Sequence, residues 1–154
     1  MTKEEHFRRL EGMYASAPIN DIFQPKMTVR EEEATIEIEL SENYHHAAGA
    51  VHGAVYFKML DDAAFFAANS LETEVFVLTT AFTTYLTRPV SEGMLRSMGR
   101  VVNRNKSQFI AESILYNAEG QEIGRGNGVF VRGKLPLKNV QGYCEVAGLK
   151  AIKP

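Results

Sequence analysis

GAVYFKMLDDAAFFAANSL, residues 53–71, is the stretch that decides the fold. It contains good helix formers and, after Gly53, neither glycine nor proline, so it predicts one helix from Gly53 to about Leu71. Apolar side chains cover almost the whole circumference of that helix, and a helix that is apolar all round is a buried one. We therefore expect it to lie at the centre of the domain, with the other elements packed around it.

Strand-like segments stand on both sides of this helix. Those that follow it are rich in threonine, valine and aromatic residues, and Gly93 and Gly120 lie in two of the breaks between them. Before the helix, isoleucine and leucine alternate with glutamate, which is typical of a strand with one wet face. The predicted strands are residues 26–30, 35–40, 75–90, 94–104, 108–117 and 121–132. This order predicts an α+β architecture in which a curved, antiparallel sheet of about six strands wraps around one long central helix.

The whole chain, residues 1–154, has the length of one domain with a sizeable core. Apolar residues recur at helical spacing ahead of Pro18, so we expect a lead helix over about residues 3–16. Residues 133–154 show weak patterning, and we expect them to form a tail that packs on the body or on a partner. The single cysteine, Cys144, lies in this tail and excludes an internal disulfide.

The composition, with 45% hydrophobic and 23% charged residues, is that of an ordinary globular protein. A net charge of −2 gives no general attraction to nucleic acid or to anionic membranes, so we expect neither as a partner. We find neither a membrane-spanning apolar run nor a signal peptide, and we therefore expect a cytoplasmic location. A phosphate loop, a Cys-x-x-Cys pair and a Gly-x-Ser-x-Gly elbow are absent from the sequence, and we expect no metal and no organic cofactor.

The start of the central helix and a carboxylate further along it form the candidate site. A helix N-terminus offers free N–H groups and the positive end of the helix dipole, and Gly53 lets another molecule approach them closely. Such a terminus can hold an oxyanion. Asp61 shares a helical face with Gly53 on an apolar stripe, where it either activates water or makes a structural bond to a loop or backbone amide. Asp62 follows Lys58 by four residues, so an ion pair accounts for it.

His52-Gly53-Ala54, then Asp61 nine residues after the histidine, and then a strand ending in Tyr85-Leu86-Thr87-Arg88-Pro89 together resemble the hotdog-fold thioesterase superfamily. The resemblance is to the branch of phenylacetyl-CoA and 4-hydroxybenzoyl-CoA thioesterases, whose helix opens with His-Gly-Gly. Residues 105–109 and 117–126 look like the last paired strands of that family. The resemblance extends over roughly residues 20–132 and implies the hotdog fold.

The resemblance also implies a mechanism for hydrolysing a thioester of coenzyme A. The thioester carbonyl would lie against the Gly53 amide, and Asp61 of the neighbouring subunit would act as general base or nucleophile. Thr79, ten residues before Pro89, stands where the family often has a serine or threonine that orients the water. His52 would support the loop rather than titrate.

Two positions depart from the family pattern. Ala54 replaces the second glycine and narrows the approach to the helix end. His46 replaces the loop asparagine; a neutral histidine can donate one hydrogen bond as asparagine does, but it titrates near neutrality. Together with His45 it could be a base or a metal ligand. Adjacent histidines without further ligands make a poor zinc site, so a structural role in the loop is the simpler interpretation.

Coenzyme A carries phosphates, for which Arg88, near a strand end, and Arg104 and Lys106, in a turn, are the candidate ligands. Solvated surface charge is the alternative for each of them. The aromatic helix face that includes Phe57 suggests an apolar acyl pocket, without distinguishing a fatty chain from an aryl ring.

The leading prediction is therefore an acyl-CoA thioesterase. The runner-up is a non-catalytic binder of acyl-CoA or acyl-carrier protein, in which Ala54 and His46 mark lost chemistry. A hotdog dehydratase ranks lowest, because His52 precedes the helix instead of lying within it. One wrapped helix leaves open sheet edges, so we expect a homo-oligomer, either a dimer or a dimer of dimers, that extends the sheet.

Overall fold

The computed structural model describes residues 1–144, which form three helices, six strands and two short 3-10 turns. The helices are α1 (Lys3–Ser16), α2 (Asn20–Phe23) and α3 (Gly53–Asn69). The strands are β1 (Lys26–Arg30), β2 (Glu33–Glu39), β3 (Val75–Leu86), β4 (Met94–Arg104), β5 (Gln108–Tyr116) and β6 (Glu122–Pro136). The 3-10 turns are Glu42–Tyr44 and Leu137–Asn139. The predicted α+β class is confirmed: a curved antiparallel sheet of six strands packs against one long helix.

The strands form one sheet in the order β1-β2-β4-β5-β6-β3, with every pair antiparallel. The β1–β2 hairpin turns at Glu31 and Glu32, and Glu32 takes the left-handed conformation with φ 65°. The edge strands are β1 and β3. β3 has 12 residues and pairs along one side only within residues 1–144.

Close backbone contacts hold α3 in the middle of the sheet. Gly99 of β4 lies so near the helix that a Cβ there would meet the Ala63 carbonyl oxygen at 2.2 Å. On the adjacent strand, the Ser113 hydroxyl donates a hydrogen bond to the Leu60 carbonyl at 2.7 Å. From Ala63 to Asn69 every residue of α3 is buried, as its all-round apolar pattern predicted.

The lead helix α1 begins with a capping box between Thr2 and Glu5, and it spans the residues expected from its apolar spacing. Its buried His6 joins the two ends of the described chain to α3. His6 Nε2 donates to the Asn69 carbonyl at 2.9 Å, which leaves Nδ1 to accept from the Tyr143 hydroxyl at 2.7 Å. Burial lowers the pKa of His6, in keeping with this neutral tautomer.

The structure moves two predicted strand ends by four residues each. β3 ends at Leu86, because the next two amides, of Thr87 and Arg88, both donate to the same carbonyl, that of Ile123 in β6, and so depart from the regular ladder. β6 continues to Pro136, since its last residue pairs with Val75 at the beginning of β3. Residues 137–144 pack on the body through the buried Leu137 and Tyr143. The rest of the predicted tail, residues 145–154, lies outside the described residues.

Candidate active site

Asp61 and Thr79 meet between the central helix and the edge strand. Asp61 lies two turns into α3 and Thr79 lies on β3, and the Thr79 hydroxyl donates a hydrogen bond to Asp61 Oδ1 at 3.0 Å. The fold thus brings together two of the three residues that the sequence singles out for chemistry. A hydroxyl in this position can orient the carboxylate and share a water molecule with it.

An irregularity in β3 lets two of its side chains face the helix. The register against β6 shifts between Thr79 and Ala81, so Thr80 is an extra residue in the strand. Regular alternation would put residues 79 and 82 on opposite faces, but a bulge reverses the alternation that follows it. Phe82 consequently packs edge-on against Phe57 of α3, with their ring centroids 5.7 Å apart. The sequence carried no sign of this bulge.

Burial raises the pKa of the Asp61 carboxyl from its ordinary 3.8 to about 6. Desolvation is the largest cause, and the negative charge of Asp62 adds to it. The hydrogen bond from Thr79 and the positive charge of Lys58 act in the opposite direction. A carboxylate with a pKa this close to neutrality is a stronger base than an ordinary aspartate and is still mostly ionised at pH 7.

Asp62 belongs to a separate network that ties α3 to the lead helix. Lys58 Nζ donates to Asp62 Oδ2 at 2.7 Å, which is the predicted ion pair. The Tyr14 hydroxyl of α1 donates to the same oxygen at 2.7 Å. Burial and the neighbouring carboxylates raise the pKa of Tyr14 far above its usual value, so this hydroxyl remains a donor. Lys58 also lies over the rings of Tyr14 and Phe23, at 5.2 and 5.4 Å from their centroids.

A cavity of about 370 Å³ opens beside Asp61. Its walls come from the end of α1, the chain leading into α2, the middle of α3 and the start of β3, and they include Phe65, Phe66 and Phe76. Asp61 and Thr79 lie on its wall, so the candidate base borders an apolar space. Phe57, expected in an acyl pocket, does not border this cavity and is 44% exposed.

The start of α3 lies about 12 Å along the helix axis from Asp61, since each residue advances the helix by about 1.5 Å. His52 is the N-cap, and its Nδ1 accepts a hydrogen bond from the Ala54 N–H at 2.9 Å. The Gly53 N–H has no hydrogen-bond acceptor within residues 1–144. A Cβ on Gly53 would lie 3.0 Å from Leu86, so a larger side chain would crowd the end of β3. In a single chain, Gly53 and Asp61 therefore do not meet.

A family model for the thioesterase superfamily matches residues 48–123, which include the start of α3, Asp61 and Thr79. Together with the six-stranded sheet and its packed helix, this match decides the family. The chain belongs to the hotdog-fold thioesterase superfamily. No match was found among curated protein sequences.

Solved hotdog structures superpose on most of this chain. The PaaI protein of Escherichia coli, from the phenylacetic acid degradation operon, is 16% identical with a TM-score of 0.79, over 88% of this chain and 99% of that chain. A thioesterase of Haemophilus influenzae is 12% identical with a TM-score of 0.72, over 80% of this chain and 88% of that chain. AziG of S. sahachiroi is 20% identical with a TM-score of 0.71, over 77% of this chain and 98% of that chain. At these identities the likeness shows the hotdog fold alone.

The three basic residues predicted to bind coenzyme A lie at opposite ends of α3 in this hotdog domain. Arg88 follows β3, and its carbonyl accepts a hydrogen bond from the first turn of α3 at 2.7 Å. Arg104 is the last residue of β4, and Lys106 lies in the turn to β5, where its carbonyl accepts from Arg132 at 3.0 Å. Arg132 in turn pairs with Glu72, just beyond the end of α3. One chain alone does not bring these three cations together.

The two loop histidines make structural hydrogen bonds. His46 Nδ1 accepts from the Ala48 N–H at 3.1 Å, and His45 Nε2 lies 2.8 Å from the Ser91 carbonyl. Across residues 1–144, no cluster of three or more histidine, cysteine or acidic side chains could hold a metal ion. None of the helices in that same range has the length and apolar character needed to cross a membrane.

Sequence reasoning missed the residues that connect the lead helix to the site, above all Tyr14. In the sequence, Tyr14 is one of the residues whose helical spacing ahead of Pro18 predicts α1. The hydroxyl of Tyr14 is the signal that points to a contact with the site, because a buried hydroxyl needs a hydrogen-bond partner and the acidic pair on the central helix offers one. No comparable signal marked Phe76, whose place beside the cavity depends on the path of β3.

Proposed function

We propose that this protein is an acyl-CoA thioesterase that works as a homodimer or a dimer of dimers, with residues 1–154 as its single domain. One observation carries the proposal: the Asp61 carboxyl, with a pKa raised to about 6, accepts a hydrogen bond from Thr79 at the edge of an apolar cavity. A base, a hydroxyl and an apolar space beside them are what hydrolysis of a thioester with a hydrocarbon acyl group requires.

In the proposed reaction, Asp61 takes a proton from water while the water oxygen attacks the thioester carbonyl carbon. Thr79 holds the carboxylate and the water in line. The Gly53 N–H of the second copy stabilises the resulting oxyanion. The tetrahedral intermediate then collapses, the carbon–sulfur bond breaks, and the departing thiolate takes the proton from Asp61. The products are a carboxylic acid and free coenzyme A. Direct attack by Asp61 on the carbonyl is the alternative course, and it passes through an anhydride that water then cleaves.

The edge of β3 supports the homodimer. This edge is long and has no strand partner within residues 1–144, and it exposes Leu78, Tyr85 and Leu86 at 50 to 56%. An unpaired, apolar edge strand is a template for another strand. Antiparallel pairing of two β3 edges would run two α3 helices in opposite directions, which would carry the Asp61 of one copy toward the Gly53 of the other. Light scattering that found only monomers at micromolar concentration would contradict this assembly.

The same two-fold arrangement accounts for the scattered basic residues. Arg88 lies at the start of α3, and Arg104 and Lys106 lie beyond its end, so only opposed helices would combine them around one site. We propose that they bind the phosphates of coenzyme A through charge-assisted hydrogen bonds, with His46, His52 and Ala54 shaping the adjacent loop and helix start. Binding through such contacts weakens as ionic strength rises.

The decisive experiment replaces Asp61 with Asn and measures the release of free thiol from acyl-CoA. Asp61→Asn keeps the shape and can still accept the Thr79 hydrogen bond, but it removes the base, and we expect a loss of at least about 100-fold in kcat. The control is Asp21→Asn, an exposed aspartate on α2, which should retain wild-type turnover. Undiminished hydrolysis by Asp61→Asn would refute the proposal.

A non-catalytic binder of acyl-CoA or acyl-carrier protein remains the second candidate, and one observation favours it. Ala54 replaces the second glycine of the family motif, and its N–H is already bonded to His52, so only the Gly53 amide is left to hold an oxyanion. Calorimetric titration with acyl-CoA separates the two functions. Tight binding without any release of thiol would favour the binder.

A further inference from the structure

We propose that the lead helix α1 and the turn after it form one wall of an acyl-binding cavity, which selects a medium-sized, uncharged hydrocarbon acyl group. The inference rests on the proposed thioesterase function and names its substrate class. The residue that we assign to the control of acyl size is Ala17, which borders the cavity directly after α1.

The apolar lining of the cavity favours a hydrocarbon. On the α3 side, Phe65 and Phe66 stack edge-on with centroids 5.0 Å apart, and Phe76 of β3 lies 5.1 Å from Phe65. The lining also includes Met13, Ala17 and, from the chain after β6, Val140. A volume of about 370 Å³ is near the lower end of the range for ligand pockets, which run from roughly 300 to 1,000 Å³. This size suits a medium-length chain or a single aryl ring.

The wall formed by α1 is held in place rather than loosely apposed. Tyr14 donates to Asp62 of α3 at 2.7 Å, and its ring packs edge-on against Phe66 with centroids 5.0 Å apart. The carbonyl of Tyr14 accepts a hydrogen bond from Asn20 Nδ2 at 2.7 Å, which fixes the turn between α1 and α2. Ala17 is half-buried at the border of the cavity, between the two residues that make these contacts, so we expect a larger side chain there to reduce the space for an acyl group.

The charges at the cavity exclude acidic acyl groups. Asp61 and Asp62 both border it, and Lys58 is already engaged by Asp62. An acyl group with a distal carboxylate would bring a third negative charge into a partly desolvated site and find no free cation among the described lining residues. Malonyl and succinyl groups are therefore expected to be poor substrates, although their size would fit.

Ala17→Phe tests the assignment, and Ala15→Phe is its matched control. Ala17 has extended backbone angles of −63° and 129°, which any side chain tolerates, so phenylalanine can stand at this border of the cavity without straining the backbone. Ala15 lies two residues earlier on α1, is exposed and does not border the cavity. Thermal unfolding of each variant verifies that it is folded.

The measurement is kcat/KM for acetyl-, octanoyl-, phenylacetyl-, palmitoyl- and succinyl-CoA. Wild type should prefer octanoyl- or phenylacetyl-CoA over acetyl-CoA by at least about tenfold, since each buried methylene contributes about 0.8 kcal/mol. Ala17→Phe should lower the ratio of octanoyl to acetyl turnover at least tenfold, whereas Ala15→Phe should leave it unchanged. The ratio of kcat/KM for octanoyl-CoA to that for phenylacetyl-CoA shows whether the cavity prefers an alkyl or an aryl group. Equal use of acetyl- and octanoyl-CoA, or an unchanged ratio in Ala17→Phe, would overturn the inference.

A binding measurement separates this inference from the proposed catalysis. Octanoyl-CoA and acetyl-CoA are titrated into Asp61→Asn, with and without Ala17→Phe. Octanoyl-specific binding that Ala17→Phe abolishes supports the cavity assignment even if no variant releases thiol. Equal affinity for the two thioesters in both proteins would overturn the cavity assignment even if Asp61 proves to be the base.

Discussion

The Thr79 hydroxyl donates a hydrogen bond to the Asp61 carboxylate at 3.0 Å, and this contact connects the central helix to an edge strand that has no partner on its other side within residues 1–144. Asp61 is thereby held at the boundary between an apolar cavity and the surface where a second copy is proposed to bind. Its raised pKa and its orientation both follow from that position.

The rate of hydrolysis should depend on the ionisation of Asp61. Only the ionised carboxylate can accept a proton from water, so kcat/KM should be constant above the pKa of about 6 and fall tenfold for each pH unit below it. An ordinary aspartate would show this decline only near pH 4. The pH profile of thiol release between pH 4.5 and 8 gives the apparent pKa. A rate that stays level down to pH 4.5 would show that Asp61 is not the titrating base.

Neutralising the two charges beside Asp61 should move that pH profile in opposite directions. Asp62→Asn removes a negative charge, which stabilises the Asp61 carboxylate and lowers its apparent pKa. Lys58→Met removes a positive charge and raises it. The same pH titration of each variant measures the shift, and Asp21→Asn serves as the control with an unchanged profile. Shifts of the same sign in both variants would exclude a direct electrostatic effect.

The two neighbouring aspartates should have opposite effects on stability. The pKa of Asp61 is raised in the folded protein, so the folded state binds this proton more readily than the unfolded state does. Burial of the ionised carboxylate therefore costs stability above pH 6, and this cost disappears as the pH falls towards 4. Asp61→Asn should therefore stabilise the fold at pH 7 by about 1 kcal/mol, because partial solvent access screens the full cost. Asp62→Asn replaces the charged acceptor of Lys58 and Tyr14 with a neutral amide oxygen, which weakens both bonds, and should destabilise by about 1 to 2 kcal/mol.

Denaturant unfolding of these two variants at pH 7 and pH 5 measures the difference. The gain in Asp61→Asn should shrink at pH 5, where the wild-type carboxyl is mostly protonated. A loss of stability at pH 7 in Asp61→Asn would mean that the carboxylate has a structural role that the Asn side chain cannot fill.

Thr79 should act through its hydroxyl. Thr79→Val keeps the shape but removes the donor to Asp61, so we expect kcat to fall about 10- to 100-fold and the apparent pKa of Asp61 to rise. Thr79→Ser retains the donor and should keep most of the activity. Thr83→Val, at an exposed position of the same strand, is the control. Equal activity of the Val and Ser variants would argue against the proposed role.

The position of the central helix should depend on Gly99. A methyl group there would meet the backbone of Ala63 at 2.2 Å, and neither the sheet nor the middle of α3 can move without loss of packing. We expect Gly99→Ala to destabilise the protein by about 3 kcal/mol or more. Met98→Ala, at the exposed neighbouring position, should change stability by less than about 0.5 kcal/mol. Thermal unfolding of the two variants makes the comparison.

Most of the fold could be predicted because its signals are local. The apolar circumference of residues 53–71 identified a buried helix, and the period-two pattern of β2 identified a strand with one wet face. The strand ends that moved most are set by the partner strand: β6 extends to Pro136 because β3 runs beside it, and β3 ends where the Thr87 and Arg88 amides share one carbonyl of β6. Sheet order and the β3 bulge were also beyond prediction, because both depend on contacts between residues far apart in sequence.

The sequence by itself determined the chemistry that this protein can offer: a carboxylate on an apolar helix face, a glycine at the start of that helix, and a threonine on a later strand. Only the tertiary structure decided which of these groups meet. It joined Asp61 to Thr79, left Gly53 about 12 Å away along the helix, and made Tyr14 and Ala17 of the N-terminal segment part of the cavity wall. The physical reason is that the order and polarity of the residues fix the chemical groups and the local structure. The distances between those groups depend instead on how the helix and the bulged edge strand pack against each other.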